Sequence, residues 1–376
     1  MNSSEKQLVI GRRNALKMLG LSSAAMLAGG FTDIVAAESE SIKPKSTPVV
    51  SAGRSSVAFT TGTDRQQMIF EVVKPFEAEL KKALKGKQLI IKPNMVATNV
   101  ALCATHVDAL SGLLEYVKSF YKGQIIIAES SSVVNSADGF KNYGYLDLAK
   151  DYKVKFVDMN TLGGKPYFVI NRDLHLDKIQ IADVFFDPNN YFISISRLKT
   201  HDTVVMTGAV KNIVLSAPLN LPAAGGAKPI NYKRNLHSAG PRWLHYNMHL
   251  VSKRFLPHFS IIDGVEGMEG NGPIRGTAVN HKVALASFDP MAVDSICCQL
   301  MDIPLEYVGY LNYNAAADIG IIDREKIDII GSAKPSDHVI KYALHSNAES
   351  QLEWDDPLTP PSSRPQVQQP AQKPVQ

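Results

Sequence analysis

The stretch RLKTHDTVVMTGAVKN, Arg197 to Asn212, gathers two lysines, an arginine, a histidine, an asparagine and three threonines around apolar residues. A strand-like run, YFISIS (Tyr191 to Ser196), leads into it. Lysines and amides at a strand end can hold and orient negative charge, and His201 or Lys199 could move a proton. If the strand runs to Lys199, then Lys199 and His201 point the same way. The spacing predicts a helix from about Thr203, which sets Thr207 and Lys211 on one face with Gly208 and Asn212 beside them. The start of that helix, just past Thr200 and His201, would add free N–H donors and positive potential. Such a set is an anion or carboxylate cradle, or a ring of donors around a metal-bound oxygen.

Other strand ends carry chemistry too. Lys92 lies where a strand buried on both faces wants an apolar residue, and Asn94 follows it across Pro93. A buried lysine must pair with an anion or give up its proton. Glu129, at the end of IIIAE, is the candidate partner, for a structural pair or as a proton-moving group. The segment DGVEGMEGNGPIRG (Asp263 to Gly276) holds five glycines, two glutamates and an aspartate. A loop of this kind can bend over a ligand, and Asp263, Glu266 or Glu269 could hold a divalent cation through oxygen. His106 follows Thr105, a natural helix cap, and Asp289 before Pro290 reads as another. His245 and His249 have metal-pair spacing but no HExxH glutamate. No GxSxG, phosphate loop or dinucleotide fingerprint is present.

These groups must be positioned by a scaffold of alternating elements. Apolar runs of about five residues (SVAFTTG, QLIIKPN, QIIIAES, VKFVDM, YFISIS, HFSIIDG, HKVALASFD, KIDIIG) are separated by stretches of helical spacing, such as Arg65 to Lys85 with Met68, Val72, Phe76, Leu80 and Leu84. That pattern predicts an α/β fold with a largely parallel sheet and helices on both faces. Further helices are expected at Val107 to Tyr121, Phe140 to Lys150, Arg242 to Phe255 and within DPMAVDSICCQLM. Residues Pro166 to Ile181 alternate and predict a β-hairpin insertion, and a polar, Gly-rich loop is expected from Leu221 to Lys233. In an open parallel sheet the ligand site lies beyond the carboxyl ends of the strands, where the polar residues above collect.

The N-terminus combines a basic region, a moderately apolar run interrupted by Gly and Ser, and small residues at Val35-Ala36-Ala37. This pattern reads as a signal peptide, and Arg12-Arg13 resembles the twin-arginine export signal. The expected organisation is a twin-arginine signal peptide over 1–37, a linker over 38–55, an α/β domain over 56–335 and a disordered Pro/Gln-rich tail over 336–376. The expected location is the periplasm or another exported compartment, with the twin-arginine translocase as a partner during export and no stable membrane span. Net charge is +4, of which +2 remains beyond residue 37, too balanced for a nucleic-acid partner. The three cysteines, Cys103, Cys297 and Cys298, form no CxxC, so no iron–sulfur cluster is expected.

Several of these segments, in order, resemble the motifs of the domain of unknown function 362 family: IKPNMV, ATHVDAL, IIIAESS, SRLKTHDTVVMTGAVKN, DGVEGMEGNGP and SFDPMAVDSI. The resemblance covers about Ser56 to Ile330. It implies an α/β protein without an agreed activity, in a family where some members carry fused iron–sulfur modules that this chain lacks. Carried over motif by motif, it implies one site containing Lys92, Asn94, Thr105, His106 and Glu129. From the later motifs come Lys199, Thr200, His201, Lys211 and Asn212, then Asp263, Glu269, Asn271, Asp289 and Asp294. The expected roles are catalysis by His201, Glu129 and Lys199, ligand binding by the lysines, amides, threonines and His106, and a divalent metal on Asp263 and Glu269. The expected ligand is an anionic small molecule or metal-bound ligand, turned over by a cofactor-dependent enzyme or only bound and delivered.

Overall fold

The computed structural model describes residues 53–132, 135–221 and 228–357. The expected signal peptide, nearly all of the linker and the end of the expected tail lie outside them. Chain order begins with β1 (Ser55–Thr61), helices α1 (Arg65–Val73) and α2 (Glu77–Ala83), β2 (Gln88–Pro93), α3 (Val107–Val117), β3 (Ile125–Glu129), α4 (Ser136–Asn142) and β4 (Val154–Asp158). The hairpin β5 (Gly164–Ile170) and β6 (Leu176–Ala182) leads to β7 (Asn190–Thr200), β8 (Met206–Thr207), α5 (Ala209–Val214), β9 (Asn220–Leu221) and β10 (Ile230–Asn231). Helices α6 (Tyr232–His237) and α7 (Pro241–Ser252) precede β11 (Phe259–Glu269), β12 (Thr277–Val279) and β13 (Val283–Ser287). The chain then forms α8 (Pro290–Leu300), α9 (Gly309–Ala316), β14 (Ile327–Ile330) and α10 (Ala348–Gln351).

Among the described residues, ten strands form one sheet with the main path β14-β1-β13-β11-β7-β2-β3-β4; β12 pairs with β11 and β8 with β7. From β4 to β11 every neighbour is parallel, while β13 runs antiparallel to both β11 and β1. The fold is therefore mixed, mostly parallel α/β. The apolar runs have the two-sided burial that such a sheet demands. Ile91, Ile193 and Ile261 pack with Val72, Leu110 and Leu113 of α1 and α3. Leu198, Ile262 and Leu285 pack with Val210, Leu244 and Val293 of α5, α7 and α8. Each such side chain contributes about 1.5–3 kcal/mol of burial free energy. The expected hairpin, β5–β6, forms its own two-stranded sheet.

Four expectations are corrected. The helix expected over Arg65–Lys85 breaks into α1 and α2 around a 3₁₀ turn at Lys74–Phe76, because Pro75 has no N–H to donate. The helix expected over Phe140–Lys150 becomes α4 and a 3₁₀ turn (Tyr145–Lys150), separated by Gly144 at φ +74°. The loop expected from Asp263 is strand as far as Glu269, paired to β12 through Gly267, Met268 and Glu269. The tail expected from Ser336 is packed as far as the described chain goes: Tyr342, Gln351 and Trp354 are buried. Trp354 Nε1 donates to the Glu306 carbonyl at 3.1 Å, and the Tyr342 hydroxyl lies 3.0 Å from His281 Nδ1.

Candidate functional site

The helix expected from Thr203 does not form there. β7 stays extended to Thr200, the chain turns through Val205 at φ +66°, and β8 doubles back so that Thr207 pairs with Lys199. The reason is burial: Val204, Val205 and Met206 enter the core and cannot line a solvent-facing first turn. Helix α5 begins only at Ala209, and its first N–H groups are already taken. Asp294 of α8 accepts from Ala209 N at 2.6 Å and Val210 N at 3.2 Å. Burial pushes the Asp294 carboxyl up to about 7, against these hydrogen bonds. A side chain at Gly208 would collide with that carboxyl group, which accounts for glycine at this cap. Asp289 is a cap as expected, accepting from Met291 N and Ala292 N.

Helix α5 brings its polar residues over the carboxyl ends of β2, β3 and β7. Lys92 Nζ donates to the Pro93 carbonyl (2.6 Å), Asn212 Oδ1 (2.8 Å) and Glu129 Oε2 (3.0 Å). Glu129 also accepts from Ser130 N (2.7 Å) and the Ser216 hydroxyl (3.1 Å). Burial drives both groups toward neutrality. The three acceptors around the ammonium are what a charged lysine needs, so the pair stands as an ion pair. Asn212 Nδ2 donates to the Lys92 carbonyl and Ser194 Oγ, while its Oδ1 accepts from Asn94 Nδ2 as well as Lys92. Asn94 in turn accepts from Lys199 Nζ, which also donates to the Cys103 carbonyl at 2.8 Å. Thr105 ties the layer down, accepting from Asn94 N at 2.8 Å and donating to the Ile195 carbonyl at 2.7 Å.

Lys211 is different. Its side chain is 7% exposed, and it makes no hydrogen bond or ion pair among the described residues. Its charge nonetheless acts on Lys199, His201, Lys233 and His237, lowering each of their pKa values. Burial, the larger cause, brings Lys199 and Lys233 down to about 7 and Lys211 to about 8. His201 is held neutral by burial and the surrounding cations. Its Nδ1 accepts from Thr203 N at 3.1 Å, which puts the ring proton on Nε2. The half-exposed Asp202 carboxylate, 3.1 Å from the same nitrogen, does not outweigh that burial.

Other expected site residues lie apart from this layer. Asp263 is paired with Arg65 Nε at 2.9–3.0 Å, and Glu269 accepts from Ala343 N at 2.8 Å. The expected metal pair is thus two carboxylates already used for separate purposes. No group of three or more His, Cys, Asp or Glu among the described residues is arranged to hold a metal ion. Asn271 accepts from Ser346 N, and Thr200 donates to the Gly270 carbonyl at 2.9 Å, so both secure chain segments. His106, not Thr105, caps α3, accepting from Asp108 N at 3.1 Å, and it sits within the field of Arg65, Arg197 and Asp263. Glu266 pairs with Arg197 at 2.9 Å.

Sequence reasoning missed Lys233, which it left in a loop. Residues 222–227 of that loop lie outside the described residues, but Lys233 itself is on α6 and points inward. It donates to Ser130 Oγ (2.8 Å) and to the carbonyls of Pro218 (2.7 Å) and Leu215 (3.0 Å). Its signal was the i, i+3 spacing to Leu236, the other buried residue of that helix.

The molecule is thus a mixed α/β protein with a buried, lysine-rich polar layer at the carboxyl ends of its parallel strands. Residues 89–299, more than half of the chain, match the family model described as "Domain of unknown function (DUF362)", and the chain belongs to that family. A curated relative, a thylakoid-associated protein of Synechocystis sp., is 24% identical over 223 residues, which are 58% of this chain and 64% of the relative. Similar solved structures include a Thermotoga maritima protein (TM-score 0.39, 9% identity, 65% of this chain and 61% of that one). Another is the lactate racemase apoprotein of Thermoanaerobacterium thermosaccharolyticum (TM-score 0.38, 12% identity, 68% and 59%). Neither structure carries a function over to this chain.

Proposed function

We propose that this chain is an exported protein that binds an anionic small molecule, or the anionic part of a cofactor, at the lysine layer and acts on it as an enzyme. The observation that carries this reading is Lys211, buried and without a hydrogen-bond or ion-pair partner among the described residues, in a layer already rich in lysine. A charge in that position is costly unless a ligand completes it. Lys199, with a pKa near 7, is the group best suited to move a proton. Glu129 and Asn212 serve as the frame, since their polar atoms are committed to Lys92, Asn94, Ser130, Ser194 and Ser216. A metal is left out of this reading because Asp263 and Glu269 are held by Arg65 and Ala343.

A second reading, binding and delivery without turnover, is favoured by the same commitment of Glu129 and by the hydrogen bond that occupies His201 Nδ1. Thermal unfolding of the wild type and Lys211→Met with acetate, succinate, sulfate or glycerol 3-phosphate tests the shared claim. At least one anion should raise the wild-type midpoint by several degrees and leave the variant unmoved. No shift with any of them, or equal shifts in both proteins, would defeat the anionic site. Recovery of the bound anion chemically unchanged after prolonged incubation would favour delivery over turnover.

A further inference from the structure

The charge inventory of the layer says what kind of anion it is built for. Lys92, Lys199, Lys211 and Lys233 are all buried, and Lys92 alone has a carboxylate partner within 4 Å among the described residues. The neighbouring acids are engaged elsewhere. Asp294 caps α5, and Asp263 and Glu266, on β11, pair with Arg65 and Arg197. Asp202 is half-exposed against His201. Among the described residues, Lys199, Lys211 and Lys233 therefore have no carboxylate at ion-pair distance, and only the more distant charges of Asp202 on Lys211 and of Glu129 and Asp158 on Lys233 offset them.

The donor inventory points the same way. Lys233 has carbonyl and hydroxyl acceptors for all its protons. Lys199 has two acceptors, so its charged form keeps one N–H free. Lys211 Nζ has no hydrogen-bond partner among the described residues, and neither has the buried Thr207 hydroxyl. Thr207 lies directly across from Lys199 in the β7–β8 pair, so the two side chains emerge on the same face, and Lys211 follows four residues later. Donors supplied by two strands and a helix suit an acceptor with oxygens in several directions. A planar carboxylate offers only two.

Resting on the proposed anionic site, we infer that its ligand group is a tetrahedral oxyanion carrying two or more negative charges, such as phosphate, sulfate or one of their esters. Lys211 and Thr207 bind it directly, and Lys199 contributes its remaining N–H. With only 7% of Lys211 and 4% of His201 exposed, the group gives up much of its water on binding. Binding then takes up protons, because the empty layer cannot keep three unbalanced ammonium groups charged near neutral pH. Titratable or charged groups in and around the layer, besides Lys211, are Lys92 on β2, Lys199 and Arg197 on β7, and His201 and Asp202 in the turn. Glu129 on β3, Asp158 on β4, Lys233 and His237 on α6, His245 on α7, Asp294 on α8 and the paired acids of β11 belong to the same set. Of these, Lys199, Lys211 and Lys233 are the bases whose burial leaves them part-neutral and able to gain a proton.

Calorimetric titration of the full chain at pH 7.5, in two buffers of different ionisation enthalpy, separates the possibilities. Sulfate is a dianion throughout this range, acetate a monoanion of similar size, and glycerol 3-phosphate and inorganic phosphate stand for an ester and a free ion. Sulfate or the ester should bind at least tenfold tighter than acetate. The sulfate heat should differ between buffers by net proton uptake, and affinity should fall at least tenfold from pH 7 to pH 9. Lys211→Met should lose at least tenfold in affinity, with its fold checked by unfolding, and Lys199→Met should lower the uptake. Tighter binding of the ester than of free phosphate would identify an esterified ligand, and the reverse a free ion. Acetate binding as tightly as sulfate, or heats independent of buffer, would overturn the inference while leaving the anionic site standing. No binding by any of the anions would overturn both.

Discussion

Lys92 on β2 and Lys211 on α5 belong to the same layer, yet they respond to their burial in opposite ways. Lys92 has three acceptors, one of them the Glu129 carboxylate, so replacing it by methionine would leave Glu129 buried and unpaired. Lys92→Met is expected to destabilise the empty protein by about 3–5 kcal/mol. Lys211 has no such partner among the described residues, and Lys211→Met removes its buried charge while keeping the volume. The empty Lys211→Met protein is expected to be more stable than the wild type by about 1–3 kcal/mol while losing its anion affinity. Denaturant unfolding of the two variants checks the pair, and equal destabilisation by both would contradict this account. The pH dependence follows with a definite sign. Lys199 and Lys211 fall from the usual 10.5 to about 7 and about 8 when folded. Their depressed values contribute stability that is fully present above about 10.5 and lost as pH falls through about 8 and 7. Asp294, raised from 3.8 to about 7, contributes in the other sense, with stability lost as pH rises through about 7. Between pH 8 and 10 the empty wild type should therefore gain stability, and Lys211→Met should gain less. A rise of the same size in both would show that Lys211 does not titrate there. Lys92, Asn94 and Glu129 were legible in the sequence because a polar residue in a run such as QLIIKPN breaks a pattern that burial enforces. That Lys211 stands unpaired was not legible, since a missing partner is a property of the assembled layer.

At the scale of elements, the turn from His201 to Val205 is held by a segment far away in sequence. Gln351 Oε1 accepts from Val205 N at 2.6 Å, and its Nε2 donates to the His201 carbonyl at 3.0 Å. Asn347 Nδ2 donates to the Asp202 carbonyl at 2.8 Å. The segment that composition assigned to a loose tail thus forms a strap over the turn carrying His201. Gln351→Ala leaves the buried Val205 N–H without an acceptor and should cost about 1–3 kcal/mol. Unfolding of that variant measures it, and a loss below a few tenths of a kcal/mol would mean that the strap is not fastened there. The strap was hidden because its anchors, Tyr342, Gln351 and Trp354, are sparse and follow no helical or strand period. The helix expected at Thr203 failed for a related reason. Periodicity could not tell an apolar helix face from the buried turn and short strand that VVMT forms, and the deciding partner, Asp294, lies about 85 residues away.

For the molecule as a whole, alternating apolar runs and helical spacings were enough to foresee an α/β sheet with helices on both faces. Strand order and the antiparallel placement of β13 were not, since they depend on pairings between β1, β11 and β13 across most of the chain. A folded, closed layer suits the export route proposed from Arg12-Arg13, which carries proteins already folded. Replacing both arginines by lysine should leave the protein at precursor size in the cytoplasm, while the wild type appears at mature size outside it. Fractionation checks this, and unchanged export of the variant would argue for the route used by unfolded chains. The central claim, that the lysine layer is completed by an anion, has its most direct test in a crystal of the protein soaked with selenate and measured at the selenium edge. The account expects an anomalous peak within hydrogen-bond distance of Lys211 Nζ in the wild type and none there in Lys211→Met. A Lys211 ammonium surrounded by water, with selenate bound elsewhere or nowhere, would contradict it.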